Sequence, residues 1–410
     1  MEEILSGGFA ASLRIAIARE NSCRREAGSA AIAATCLADL PDECLASVFQ
    51  CLRSEDRHAV ALTCRRWRTL EALSRHTLRF DCESLIKPSD EADSLRGCLM
   101  HAHSVFPNIL HITINRFTRL PDSFFAIFQT TSFARLTSLH LYFCLAITDK
   151  SVNYVVTGCP ALTHLTLTLC TKISDVSLHA IARGLSLLEY LDVSYCKLVT
   201  DKGIDDILKC CPKMLDISFS YCFEVDGWGL RNGKNLKKVQ AEACSLTDAG
   251  LVEGLSGATS IQIFNMADLR SGFRLGATGL GQVGLVSKHM EVLCLRMCRM
   301  VDDSTVKKIA QGCSNLRVWD LSRCQELTFE GWQAVALFCA KLQYLDVHRC
   351  RQFCDRSMLA VQESCPSLCC IHVTSCPLLT SDTCRYFEAA RPNVRVDTQG
   401  ALRNCCHIMT

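Results

Sequence analysis

The sequence lacks charge of either sign in excess: 44 Lys and Arg against 42 Asp and Glu leave +2 over 410 residues. Nothing global therefore points to nucleic acid or to an anionic membrane surface as partner. No run approaches the roughly 18 apolar residues of a membrane span. No long basic run is present, and Arg24-Arg25 and Arg65-Arg66 are too short to count as one. The glycines near 272–284 are followed by no Gly-Lys-Ser/Thr, which excludes a phosphate loop. The twelve histidines are scattered, and no convincing catalytic set emerges. Cys365, Cys369, Cys370 and Cys376 lack the paired Cys-x-x-Cys spacing of a zinc site. The expectation is a protein with no catalytic residues, no metal and no cofactor.

What is abundant is cysteine, 29 in all, and it keeps time. Cys144, Cys170, Cys196 and Cys222 recur at one fixed interval, and Cys298, Cys324, Cys350 and Cys376 recur at the same interval. Each ends one phrase, seen cleanly in Leu162, Leu165, Leu167 and Cys170 and again in Leu342, Leu345, Val347 and Cys350. A fixed period in the twenties marks a leucine-rich-repeat solenoid. A second cysteine set, Cys159, Cys211, Cys313, Cys339 and Cys365, follows the first at a constant offset. A small side chain with a weak S–H donor suits a tight buried turn. Free thiols imply a reducing compartment. The N-terminal apolar run is broken by Arg14 with no basic leader, so no signal peptide is expected.

Each repeat divides in two. A short strand comes first. Then Ile147-Thr148-Asp149, Ile173-Ser174-Asp175 or Val199-Thr200-Asp201 caps a helix, and glycine or Cys-Pro stops it, as at Gly158-Cys159-Pro160. The fold class is α/β: a curved solenoid with parallel strands on the concave face and helices on the convex face. Eleven phrases end near Phe117, Cys144, Cys170, Cys196, Cys222, Cys244, Met266, Cys298, Cys324, Cys350 and Cys376. The beat falters after Cys222: two short steps, to Cys244 and to Met266, precede a long one to Cys298. The long step holds Gly272, Gly276, Gly279, Gly281 and Gly284. It reads either as a loop folding over the concave face or as an ordinary insertion.

Ahead of the array the pattern differs. Asp39-Leu40-Pro41 starts a helix with proline near its first turn, and Leu45, Val48, Phe49 and Leu52 share one helical face. After Ser54-Glu55-Asp56 a second stretch runs through Val60, Leu62, Cys64 and Trp67. Read blandly, this is a helical cap on the first repeat. Leu40-Pro41, Phe49-x-x-Leu52 and Cys64-x-x-Trp67 also resemble an F-box. Together with the cysteine-bearing repeats, which resemble those common behind F-boxes, the likeness covers residues 36–398. Leu295-Arg296-Met297-Cys298-Arg299 and Glu330-Gly331-Trp332-Gln333-Ala334-Val335 look most like the plant F-box/LRR-repeat proteins. The organisation read from the chain is a flexible segment 1–35 with a short helix near Ala10–Arg19, an F-box 36–80, a connector 81–105, the solenoid 106–398 and a tail 399–410.

The resemblance implies a non-catalytic substrate receptor of a Skp-cullin-F-box ubiquitin ligase. It would dock on a Skp adaptor, and through it on a cullin scaffold, by Leu40, Pro41, Leu45, Val48, Phe49, Leu52 and Trp67. Sequence does not say which of these touch the adaptor and which pack inside. A target protein would lie on the concave face. The position before the terminal cysteine reads Phe143, Leu169, Tyr195 and Tyr221, then Met297, Arg323 and Arg349, with Arg296, Arg299, Arg351 and His348 close by. Aromatic and Arg side chains are common interface anchors. An apolar patch beside a basic one points to a target with an acidic or phosphorylated segment. The competing reading pairs Arg323 and Arg349 with Asp320 and Asp346. The alternative to a ligase receptor is a stand-alone repeat scaffold whose helical region is only a cap.

Overall fold

The computed structural model describes residues 40–82, 91–130, 133–269 and 275–400. The N-terminal segment with its expected helix, part of the connector, Gly272 and the tail from Ala401 lie outside the described residues. The chain forms two compact units; described residues 40–79 and 93–112 belong to the first, and 80–82, 91–92 and 113–400 to the second.

In the first unit three short helices pack together: α1 (Asp42–Gln50), α2 (Ser54–Ala61) and α3 (Arg65–Ser74). Pro41 sits immediately before α1, where its missing N–H is no loss. The Cys64 sulfur caps α3, accepting from the Trp67 N–H at 3.4 Å. Leu45, Phe49, Val60, Trp67 and Leu70 are buried as one cluster, with Leu40, Val48 and Leu52 packed against it. Phe49 meets Trp67 edge-on at 5.6 Å. A helix over Glu91–Val105 also belongs largely to this unit.

In the second unit strand and helix alternate. The sheet holds thirteen strands in strict chain order, and the eleven from Ser138–Tyr142 to Arg395–Asp397 lie wholly in this unit. Those eleven pair in parallel, most of them only three residues long. Strands this short leave many backbone groups outside the sheet, and three further devices take them up.

The first is the cysteine column. Cys170, Cys196, Cys324 and Cys350 donate S–H to the carbonyls of Leu141, Leu167, Leu295 and Leu321 in the preceding repeat, at 3.2–3.7 Å. Burial pushes the thiols of Cys144, Cys196, Cys244 and Cys298 up to about 12, so they stay neutral donors. The second is an aspartate staple. Thr148, Ser174, Thr200 and Thr328 cap their own helices. The Asp expected to share that task binds the next repeat instead. Asp149 accepts from the Ser174 N–H and Oγ–H at 2.9 and 2.8 Å. Asp175 does the same for Thr200, and Asp303 for Thr328. The third is a turn after each strand, described with the site below.

Two expectations are corrected. The repeat after Cys244 closes at Leu269, not Met266: Lys238 pairs with Ile263 and Ile263 with Val292, so the long step is shorter, and the step before it longer, than the sequence suggests. The glycines of the long step do not all form a loop, because Gly279, Gly281 and Gly284 lie in a regular helix over Ala277–Val286. Glycine does end several helices, but not by adopting a left-handed conformation; among described glycines only Gly227 and Gly400 have positive φ. A Cβ on Gly312 would lie 1.6 Å from the Gly284 carbonyl oxygen, and one on Gly257 1.6 Å from that of Arg231. Neighbouring repeats simply approach too closely there for a side chain.

That contact predicts opposite outcomes at two helical glycines. Gly312→Ala lowers stability by at least about 1–3 kcal/mol through overpacking. Gly97→Ala, whose Cβ would meet nothing within 4 Å, raises it by about 0.5–1 kcal/mol. Urea midpoints of the two variants at unchanged m-value check both signs.

Candidate functional site

The first unit offers one candidate surface. The residues expected to meet an adaptor separate into two layers. Leu45, Phe49 and Trp67 are 1–3 % exposed and form the core. Leu40, Val48 and Leu52 are half-buried, and Pro41 is exposed. Arg66 fixes the start of this strip: its guanidinium bonds the Leu40 carbonyl at 2.8 Å and Asp42 at 2.6 Å. Beneath lies a group that sequence reading missed, Arg57, which pairs with Glu71 at 3.0 Å and with Ser74 at 2.9 Å inside the unit. Nothing in the local pattern marks Arg57 as buried, because the pairing spans two helices.

In the second unit the sheet register fixes which side chains form columns. His140, Thr166, Asp192, Ser218, Gln240 and Asn265 lie in one line, which continues through Cys294, Asp320, Asp346, His372 and Asp397. The acids in this line serve the backbone. Asp192, Asp320 and Asp346 accept from the N–H two residues on, at Ser194, Ser322 and His348, at 2.8–2.9 Å. That bond bends the chain out of the strand and into the third device.

The residue before the last residue of each phrase, usually the cysteine, does not belong to the strand. It is left-handed in every repeat: Arg116, Phe143, Leu169, Tyr195, Tyr221, Ala243, Asp268, Met297, Arg323, Arg349 and Ser375 have φ of 51–65°. Each N–H from Phe143 to Arg349 donates to a carbonyl of the following repeat; Tyr195 reaches Ser220 at 2.8 Å and Arg323 reaches His348 at 2.8 Å. The column expected on the concave face is thus a column along the turn rim beside it. No glycine or asparagine signals the conformation, so the sequence concealed it.

The structure sorts the expected target-binding residues along this rim and the sheet. Phe143 is 45 % exposed. Tyr195 and Tyr221 stack face to face, 4.2 Å between centroids and 7° between planes. Tyr221 donates to Glu242 at 3.2 Å, and Glu242 also pairs with Arg296 at 2.7 Å, so Arg296 joins the tyrosines. His348 stacks on His372 at 5.1 Å. Arg323 and Arg349 do not pair with Asp320 and Asp346, whose carboxylates are engaged by the turn, by Cys294 and by His372. They line a cavity of about 450 Å³ with Met297, Arg299, Gln325, Glu326 and Arg351. On the strands of these later repeats, Ala267, Val292, Cys294, Val318 and Tyr344 form an apolar cluster with Ile263 and Cys370.

The histidine pair carries a pH signature. Burial lowers the His348 value, and the neighbouring His372 lowers it further. Burial also opposes the charge on His372, but Asp346 at 3.0 Å and Asp397 outweigh it and the value rises. His372 therefore contributes stability that is full below the ordinary histidine pKa and is lost as pH rises through its raised folded value. The expected outcome is that His372→Gln narrows the stability difference between pH 5.5 and 8 relative to wild type in urea unfolding; an unchanged difference contradicts the assignment.

Two family profiles agree with this architecture. The F-box-like family profile matches residues 37–75, and the leucine-rich-repeat profile matches 184–208 and 312–336. F-box/LRR-repeat protein 12 of Arabidopsis thaliana is 33 % identical over 292 residues, 70 % of this chain and 73 % of that protein. The crystal structure of the Rad7 and Elc1 complex in yeast aligns over 96 % of this chain and 99 % of that one, at 17 % identity and a TM-score of 0.48. No described helix is long and apolar enough to cross a membrane. With α1–α3 where the F-box profile falls, the repeats behind them and that degree of identity, the chain belongs to the F-box/LRR-repeat family.

Proposed function

We propose that this protein is the target-binding subunit of a Skp-cullin-F-box ubiquitin ligase and performs no bond chemistry itself. The observation that carries the reading is the layering of the first unit. Leu45, Phe49 and Trp67 are buried and hold Leu40, Pro41, Val48 and Leu52 as a partly exposed apolar strip at the F-box positions. Such a strip suits a partner's helical groove. The repeats would hold a target protein, with the Tyr195–Tyr221 stack and Arg296 meeting an apolar segment and Arg323 and Arg349 an acidic one. Joining both surfaces in one chain raises the target's local concentration at the ligase, leading to ubiquitination and proteasomal degradation.

The test is co-expression with a plant Skp adaptor. The intact chain co-purifies at a one-to-one ratio. Pro41→Asp with Val48→Ser loses the adaptor while circular dichroism stays unchanged, because Asp is itself a good helix cap. Leu45→Asp is unsuited as a control, since a charge in this core unfolds the unit. An intact, folded chain that captures no adaptor would instead favour a stand-alone scaffold.

A further inference from the structure

Two neighbouring helices of the later repeats, Asp303–Gly312 and Phe329–Phe338, leave a cavity of about 680 Å³ between them. On the second helix Glu330, Ala334 and Phe338 recur every four residues, with Leu337 beside Phe338, so the lining follows one helical face. The two ends of this groove differ. At the start of that face Asp302, Asp303, Glu326 and Glu330 line it against a single cation, Lys307. At the other end Leu337 is 62 % exposed and Phe338 37 %.

Solitary apolar side chains at a surface are ordinary. Two adjacent ones lining a cavity beside carboxylates mark a surface kept for a partner. The fold itself uses little of this charge. Asp302 caps its own helix and Asp303 holds Thr328, both through N–H or O–H donors that leave the negative charge in place. Among the described residues Glu326 and Glu330 form no ion pair, whereas Asp205 and Glu253, on helices of earlier repeats, share Arg231. Nor do the acids converge as metal ligands do: among the described residues no cluster could hold a metal ion. Glu326 also borders the arginine cavity, so the surface changes sign there and the groove is its acidic side.

We infer that this groove binds an amphipathic helix of a partner protein, with Lys or Arg over the acidic end and Leu, Met or Phe against Leu337 and Phe338. Four carboxylates against one ammonium select a basic segment. The apolar end excludes a purely electrostatic contact, because Leu337 and Phe338 gain only from an apolar neighbour. A groove that follows a helix face admits the side-chain ridge of another helix. It also sets a spacing. Glu330 and Leu337 are two helical turns apart, about 10 Å at 1.5 Å per residue. The basic and apolar residues of the partner therefore lie about seven positions apart on one face. The inference stands apart from the ligase reading, since it uses neither the F-box residues nor the rim arginines.

The experiment measures binding of the full chain to three labelled helical peptides on an alanine–glutamine background. The first carries three arginines on one face and a leucine seven residues beyond each. The second has the same composition with the arginines on the opposite face. The third replaces the arginines by glutamate. The first binds about tenfold tighter than the other two, the scale of two or three surface ion pairs. Added salt weakens it. Glu326→Gln with Glu330→Gln lowers its affinity, and Glu326→Lys with Glu330→Lys brings it to the level of the second peptide. Leu337→Gln weakens it about fivefold through lost apolar burial. Circular dichroism and urea midpoints verify that each variant is folded. Equal binding of the three peptides, or a preference that survives Glu326→Lys with Glu330→Lys, overturns the inference. So does a preference that needs the glutamates and ignores Leu337, which would reduce the groove to plain charge attraction.

Discussion

The structure depends on a repeated backbone bend that no single residue type announces. Strands of three residues cannot satisfy the backbone of so long a repeat by sheet pairing alone. Each repeat adds a left-handed residue, which for a non-glycine costs about 1–2 kcal/mol. In return its N–H reaches the next repeat. An acid or amide at the strand end, such as Asp192, Asn265 or Asp320, steers the chain into the bend. The cysteine that follows sends its S–H back to the previous repeat. Bonds therefore run forward and backward from the same turn, and the turn column becomes a continuous rim. A rim built this way fixes where its side chains stand, including the tyrosine stack and the arginines.

Much of this was legible because it repeats. The equal spacing of Cys144, Cys170, Cys196 and Cys222 revealed the solenoid, and Leu165-x-Leu167 revealed the strand and its buried face. The caps at Thr148 and Ser174 were readable from side-chain chemistry. Other features concern pairs of repeats, and no local pattern encodes them. Asp149 looks like part of its own helix cap, yet it serves Ser174. Gly312 looks like a helix stop, yet it is there because Gly284 passes against it. The register slip at Leu269 escaped because Met266, a plausible phrase end, stands just ahead of it. Positive φ at Tyr195 or Arg323 was hidden because both residues ordinarily avoid it.

The residues expected at the two binding surfaces followed the same division. The F-box positions were visible as a motif, but burial alone separates Leu45, Phe49 and Trp67 from Leu40, Pro41 and Val48. On the repeats, the sequence grouped Arg296, Arg323, His348 and Arg349 as neighbours along the chain. Space regroups them: Arg296 joins Tyr221 through Glu242, His348 joins His372, and Arg323 and Arg349 join Arg299 and Arg351. A basic patch read along the chain is thus three different environments, and one of them leaves its cations unpaired among the described residues.

On the proposed function, residues 40–75 meet the adaptor and the rim is kept for the target. Hydrogen–deuterium exchange of the full chain, with and without a Skp adaptor, tests this most directly. Protection confined to residues 40–75, with exchange between 190 and 350 unchanged, is the result the account predicts. Protection absent from 40–75, or extending onto the turns that carry Tyr221, Arg323 and Arg349, would contradict it.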